Sequence, residues 1–249
     1  MIDRWRLAAN VATLANGLLG VGAVLYTLAG NKPWAMLLIA CAIGFDGLDG
    51  MLSRRSRRPA SRFGAIADSV ADAISFGLAP AVLLIVHTSD VGTWAPYAVL
   101  TTAVGVGYLL AAVARLSYFT ARVHDLPHFL GVPSPESALA VVALVLFHDT
   151  PGYAGVQPIG VLVGGLVLAV LMVVPIPYPK IRRGSELRLP AAFTAVLAAV
   201  ALVPLQFHPG AATPLAVVAR IAAYGVLAGV AVYYVLGPFT VDRATTPGS

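Results

Sequence analysis

The sequence predicts an all-α, polytopic integral membrane helix bundle with about eight transmembrane helices and a polar cavity open to the cytoplasmic side. Three observations predict it. Of the 249 residues, 59% are hydrophobic and 11% charged, with a mean hydropathy of +0.85, whereas a soluble domain carries about 25% charged residues. The apolar residues gather into runs close to the ~20 residues that cross a bilayer. The basic residues fall on alternate connections between those runs, as they do where charge sets orientation in a membrane.

The first run covers about residues 7–29. Its charged start, "MIDRWR", lacks a small-residue cleavage site of convincing form, so it reads as a retained span. The second run, 34–52, ends at the basic turn "RRSRRPASR", and the third, 63–87, follows that turn with small residues that let neighbouring helices approach. The fourth covers 94–120. The fifth, 134–148, is short, but the charge alternation works only with an even number of spans, so it is counted. The sixth, 158–177, carries the small-xxx-small pair Gly160 and Gly164. The seventh and eighth cover 189–206 and 213–236. Residues 1–240 are expected to form one membrane domain, with 241–249 as a frayed polar tail.

Of the 16 Lys and Arg residues, 13 fall on one side: Arg4 and Arg6, the Arg-rich turn, Arg122, the "PKIRRGSELR" cluster and Arg243. The opposite connections carry only Lys32, which places both termini and the basic loops in the cytoplasm, at the cell membrane. Arg115 and Arg220 fall within spans. Trp5, Trp34, Trp94 and Tyr97 lie near span ends and read as an interfacial belt. The lone Cys41 excludes an intramolecular disulfide. The basic pI of about 9.6 fits loops on an anionic leaflet, and no nucleic-acid motif accompanies it.

Four of the 11 acidic residues stand in the second and third runs: Asp46 and Asp49, then Asp68 and Asp72. Spacings of three and four return to one helix face, so each pair forms an acidic stripe. Asp49 and Asp68 are nearly equidistant from the Arg-rich turn, roughly 7 to 9 Å deep at 1.5 Å per residue, and Asp46 and Asp72 sit one turn deeper. Antiparallel helices joined by this turn would bring the four together. Such anions repel strongly in a medium of low dielectric, and divalent cations are the economical compensation. An all-oxygen donor set with no histidine in register favours Mg²⁺ or Mn²⁺ over zinc, with room for a pair of ions and open positions for phosphates. The acids alone leave two other readings open. In one, each is satisfied structurally, by hydrogen bonds or by Arg115 or Arg220; in the other, they are the ion sites of a cation-coupled transporter, although transporters usually hold such sites near the midplane and in repeats.

The order Asp46-x2-Asp49-Gly50-x2-Ser53-Arg54, nine residues, Gly64-x3-Asp68-x3-Asp72 resembles the signature of the CDP-alcohol phosphatidyltransferases, D-x2-D-G-x2-A-R followed by G-x3-D-x3-D. Ser53 stands where that family usually has Ala. Within the family, "SRFGAIADSVADAISFGLAP" from Ser61, "GVPSPESAL" from Gly131 and "LMVVPIPYPK" ending at Lys180 look most like the CDP-diacylglycerol serine O-phosphatidyltransferases, the phosphatidylserine synthases. The stretch "ARLSYFT", Ala114 to Thr120, departs from that subfamily: Tyr118 and Thr120 replace an Arg and an Asn.

The resemblance implies transfer of the phosphatidyl group of CDP-diacylglycerol to a small alcohol, with release of CMP. L-serine leads among the acceptors; glycerol 3-phosphate, inositol phosphate and other amino alcohols stay open. It also implies roles. Asp46, Asp49, Asp68 and Asp72 would be metal ligands, with Asp72 also the general base. Gly50, Ser53, Arg54 and Gly64 would line the nucleotide and its phosphates, and Arg115 would contact substrate or pair with an aspartate. Homodimerisation is a further implication. His124 and His128 flank Asp125 in a weak metal pattern that is better read as interfacial, and His87, His148 and His208 fall on the outer side.

Overall fold

The computed structural model describes residues 4–56, 61–89, 95–122, 128–148 and 158–179. These form α1 (Arg4–Leu28), α2 (Lys32–Arg55), α3 (Arg62–Asp72), a π-helical turn (Ala73–Leu78), α4 (Ala79–Ser89), α5 (Ala95–Arg122), β1 (His128–Leu130), α6 (Ser134–His148), α7 (Pro158–Val173) and β2 (Pro177–Pro179). The expected helical bundle is present. Four helical stretches are long and apolar enough to cross a membrane: Arg4–Leu28, Lys32–Arg55, Arg62–Ser89 and Pro96–Tyr118. The fifth and sixth predicted spans are the shorter α6 and α7, of 15 and 16 residues, and the seventh and eighth lie outside the described residues.

The first hairpin shows how local chemistry sets the bundle. α1 buries Ala9, Ala12, Asn16, Gly20, Ala23 and Thr27, a stripe of small residues at helical spacing, and α2 packs along it. Leu7, Leu14, Leu18 and Leu25 point the other way and are 55 to 63% exposed, an apolar face suited to lipid. The chain reverses at Gly30, whose φ of 76° is a left-handed conformation open to glycine. Gly30 N donates to Thr27 O at 3.0 Å and Asn31 N to Tyr26 O at 2.8 Å, the bond pair of a Schellman cap. Tyr26 then stacks on Trp34 across the turn, with ring centroids 6.2 Å apart. At the other end of the hairpin the Arg55 guanidinium lies over Trp5, 5.5 Å from the ring centroid, so Trp5 and Trp34 mark opposite ends of the hairpin, while Trp94 lies outside the described residues.

The third predicted span is not one regular helix. Ser61 caps α3 by accepting from Gly64 N at 3.0 Å, and the helix widens into the π turn immediately after Asp72. Pro80 explains the interruption: it has no N–H to offer the preceding turn, and its ring crowds the carbonyl four residues back. That carbonyl belongs to Phe76, and it accepts instead from the buried Tyr108 hydroxyl of α5 at 3.3 Å. Phe76 and Tyr108 are both fully buried, among Ile39, Leu83 and Val141.

The far part of the chain is tied back by backbone. β1 pairs antiparallel with β2, Phe129 opposite Tyr178, a short ladder that the all-α expectation did not include. Gly131, at φ 72°, turns the chain from β1 into α6; its N–H donates to Ile176 O at 2.9 Å and Val132 N to Leu171 O at 3.0 Å. The start of α6 is thereby fixed to the end of α7. Gly164 of α7 faces Leu144 of α6, whose Cδ1 would lie 2.6 Å from an added Cβ, so the glycine serves packing within the subunit.

Gly20 is the tightest approach of α1 to the π turn: an added Cβ would strike Ser75 Oγ and lie 2.7 Å from Ser75 Cα. Gly20→Val is expected to destabilise the protein by about 1–3 kcal/mol through overpacking, seen as a lower midpoint of thermal unfolding in detergent. An unchanged midpoint would mean that α1 does not lie against the turn. Tyr108→Phe, which strands the Phe76 carbonyl, should cost about 1 kcal/mol in the same assay.

Candidate active site

The buried stripe of α2 runs from Ala35, Ile39 and Ala42 straight into Asp46 and Asp49, because steps of three and four keep one face. α3 presents Asp68 and Asp72 one turn apart. The structure brings the stripes together: one carboxylate oxygen each from Asp46, Asp68 and Asp72 lie within 4.8 Å of one another. Asp49, 7% exposed, lies beside Asp68. Asp46, Asp68 and Asp72 are partly open, as groups that must receive a ligand need to be.

α1 supplies two side chains that the sequence reading passed over. Thr13 Oγ1 donates to Asp49 Oδ2 at 2.8 Å, and Asn16 Nδ2 donates to Asp72 Oδ1 at 2.9 Å. Asn16 is completely buried, and its backbone carbonyl accepts from Ser75 Oγ of the π turn at 2.8 Å. One amide thus joins α1, the end of α3 and the π turn. The signal was present in the sequence: Asn16 is the one amide in an otherwise apolar or hydroxyl stripe, Ala9, Ala12, Asn16, Gly20, Ala23 and Thr27.

The remaining predicted residues distribute around this centre. Gly50 lies next to the Arg54 side chain, whose Nη1 would be 3.4 Å from an added Cβ. Ser53 turns its hydroxyl back to Gly50 O at 3.1 Å. Gly64 sits beside the Ser61 cap, with Arg6 Nη2 and Asn10 Oδ1 each 3.8 Å from an added Cβ, so a small residue keeps the end of α1 close to α3. Arg115 approaches from α5: its Nη1 donates to Ser134 Oγ at 2.9 Å, and its charge acts on both Asp72 and Glu136. Glu136, in the first turn of α6, is a further carboxylate near Asp46. His87 and His148 pair at 3.1 Å near the opposite ends of α4 and α6, away from the acids. Arg57, Arg58, His124, Asp125, Arg220 and the second basic cluster lie outside the described residues.

The donor set tests what the site can hold. Three carboxylate oxygens within 4.8 Å, without a nitrogen or sulfur ligand among them, suit a hard divalent cation and leave most of its coordination open. Hydrogen bonds from Thr13 and Asn16 would fix two of the carboxylates, the usual support for oxygen ligands.

The family model for CDP-alcohol phosphatidyltransferases matches residues 6–176. The chain belongs to that family. The match takes in all four aspartates, both α1 side chains, Arg115 and Glu136. Among curated relatives, the chain is 28% identical over 173 residues to the archaetidylserine synthase of Methanothermobacter thermautotrophicus, covering 69% of each protein. It is 28% identical over 183 residues to the CDP-diacylglycerol–serine O-phosphatidyltransferase of Helicobacter pylori, covering 71% of this chain and 73% of that one. It is 34% identical over 158 residues to the same-named protein of Mycobacterium leprae, covering 57% of this chain and 49% of that one. The transporter reading finds no support in the family or in these relatives. A polytopic membrane transferase is what the site, the spans and the family together describe.

Removing the α1 hydrogen bonds should loosen the carboxylates without removing a charge. Asn16→Ala and Thr13→Val are each expected to raise the divalent-metal concentration for half-maximal activity about 10- to 100-fold, measured as a shift of the metal-activation curve. Activation curves that overlay the wild type would show that α1 does not position the acids.

Proposed function

We propose that this protein is a phosphatidylserine synthase: it transfers the phosphatidyl group of CDP-diacylglycerol to L-serine and releases CMP. The observation that carries the reading is the convergence of Asp46, Asp68 and Asp72 at the positions of the family signature. The relatives support serine in particular, since two names that differ in the lipid, archaetidyl and diacylglycerol, share the serine acceptor. Glycerol 3-phosphate, inositol phosphate and other amino alcohols are the competing acceptors.

In this reading Asp46, Asp49, Asp68 and Asp72 hold a pair of Mg²⁺ or Mn²⁺ ions. Bound there, such ions neutralise the donor's pyrophosphate and the departing CMP. Gly50 and Gly64 keep side chains out of the nucleotide's path, and Arg54 and Ser53 lie beside it to receive a phosphate. Asn16 holds Asp72 by one oxygen and leaves the other to accept the serine hydroxyl proton. The serine oxygen then forms its bond to the lipid-bearing phosphorus as the P–O bond to CMP breaks. CMP takes the electron pair, and Asp72 passes its proton to water. Positioning and charge compensation carry most of such a transfer. The domain spans residues 1–240 with 241–249 as its tail, in about eight spans whose basic side, termini and active-site cavity face the cytoplasm at the cell membrane. Lipid and substrates are the partners in this reading, and nucleic acid is not. Association of two copies belongs to it as well and rests on the family resemblance.

Purified protein in detergent, where transport has no meaning, should convert CDP-diacylglycerol and L-serine to phosphatidylserine and CMP. Asp72→Asn should lower turnover by about 10² to 10⁴ with a smaller effect on Mn²⁺ binding, and Asp68→Asn should weaken both. Near wild-type turnover in Asp68→Asn would remove it from the ligand set, and equal loss of binding in both variants would deny Asp72 a separate role.

A further inference from the structure

The stretch "GVPSPESAL" enters no step of the mechanism above, yet it opens α6 against the active centre. Glu136 places a carboxylate oxygen, Oε2, in the interior with no hydrogen-bond partner among the described residues, and the hydroxyl of Ser137 is in the same position. Ser134 and Ser137 are fully buried. Ser134 is held by Arg115 at 2.9 Å, and Arg115 also acts on Asp72. A buried carboxylate oxygen and hydroxyl without partners are costly to keep. They are retained at little cost only if something with hydrogen-bond donors arrives.

We propose that Arg115, Ser134, Glu136 and Ser137 form the acceptor subsite and select a zwitterionic amino alcohol. Arg115 receives its carboxylate, the fork geometry of a guanidinium matching that group. Glu136 receives its ammonium, with Ser137 accepting a second N–H. The hydroxyl of the bound zwitterion is then left for Asp72, which lies within range of the Arg115 charge. The pattern also explains exclusion. A sugar phosphate or glycerol 3-phosphate carries no ammonium and leaves the buried Glu136 oxygen without a donor, whereas the ammonium of an amino acid answers Glu136. Gly131 and the β1–β2 ladder anchor the start of α6, so the subsite is built on fixed backbone.

The inference rests on the transferase reading and refines its acceptor. The test compares wild type, Glu136→Gln and Ser137→Ala in detergent with CDP-diacylglycerol and Mg²⁺. L-serine is the substrate; 3-hydroxypropanoate, which lacks the ammonium, and ethanolamine, which lacks the carboxylate, are competitors. Glu136→Gln is expected to raise KM for L-serine about 10- to 100-fold, the loss of one charge-assisted hydrogen bond, while KM for CDP-diacylglycerol changes by less than about two-fold. The preference for L-serine over 3-hydroxypropanoate should shrink by the same factor, and Ser137→Ala, which deletes one oxygen, should move both in the same direction by less. Should Glu136→Gln fail to fold, Ser137→Ala and the wild-type ratio of the two competitors carry the comparison. An unchanged KM for L-serine with an unchanged preference overturns the subsite while leaving the serine-transfer reading intact. Failure of the wild type to consume L-serine overturns that reading first, and the subsite with it.

Discussion

Negative charge held within a membrane-spanning bundle is the constraint from which the rest of this structure follows. Asp46, Asp68 and Asp72 bring carboxylate oxygens within 4.8 Å of one another, with Asp49 beside Asp68. Like charges at that range inside a bundle are tolerated only with compensation. The chain supplies part of it. Thr13 and Asn16 donate to Asp49 and Asp72, and Arg115 stands near Asp72. Three helices from the first half of the chain are therefore committed to one cluster, and Arg115 of α5 and Glu136 of α6 lie within electrostatic range of it. Divalent cations are the compensation that the donor set best accommodates.

The interruption of the third span belongs to the same account. π-helical turns are rare and tend to mark functional sites, and here the turn begins at the residue after Asp72. Pro80 makes a regular helix unfavourable, Tyr108 satisfies the carbonyl released at Phe76, and Ser75 reaches across to the backbone of Asn16. The local irregularity thus links the acidic stripe of α3 to the amide that orients Asp72. Gly20 allows α1 to come close enough for this to happen, since any side chain there would collide with Ser75.

The helical runs and the acidic stripes were legible in the sequence because they depend on periodicity alone. Residues 7–29, 34–52, 63–87 and 94–120 each fall in a helical stretch long and apolar enough to span, the third interrupted by the π turn, and steps of three and four predict that Asp46 shares a face with Asp49 and Asp68 with Asp72. What escaped depends on which helices meet. Asn16 and Thr13 look like minor polar residues of an apolar helix until α1 is packed against α2 and α3. Glu136 sits about 64 residues from Asp72 in the chain, and nothing local ties it to the acids. The π turn needed Pro80 to be weighed against an otherwise continuous apolar run, and the β1–β2 ladder joins segments too short to show a strand pattern.

The membrane is as much a part of this site as its side chains. The exposed leucines of α1 and the apolar face of α3, where Phe63 is 81% exposed, belong against lipid, which is also where a diacylglycerol donor resides. A nucleotide headgroup reaching the acids from the basic end would keep its acyl chains in the bilayer. The most direct measurement of the central claim is Mn²⁺ electron paramagnetic resonance on the purified protein. Titration should show a pair of bound ions whose spectrum carries the exchange coupling of close neighbours, lost in Asp46→Asn. Mn²⁺ that stays free in solution at millimolar protein-saturating levels, or that binds equally well without Asp46, would contradict the account.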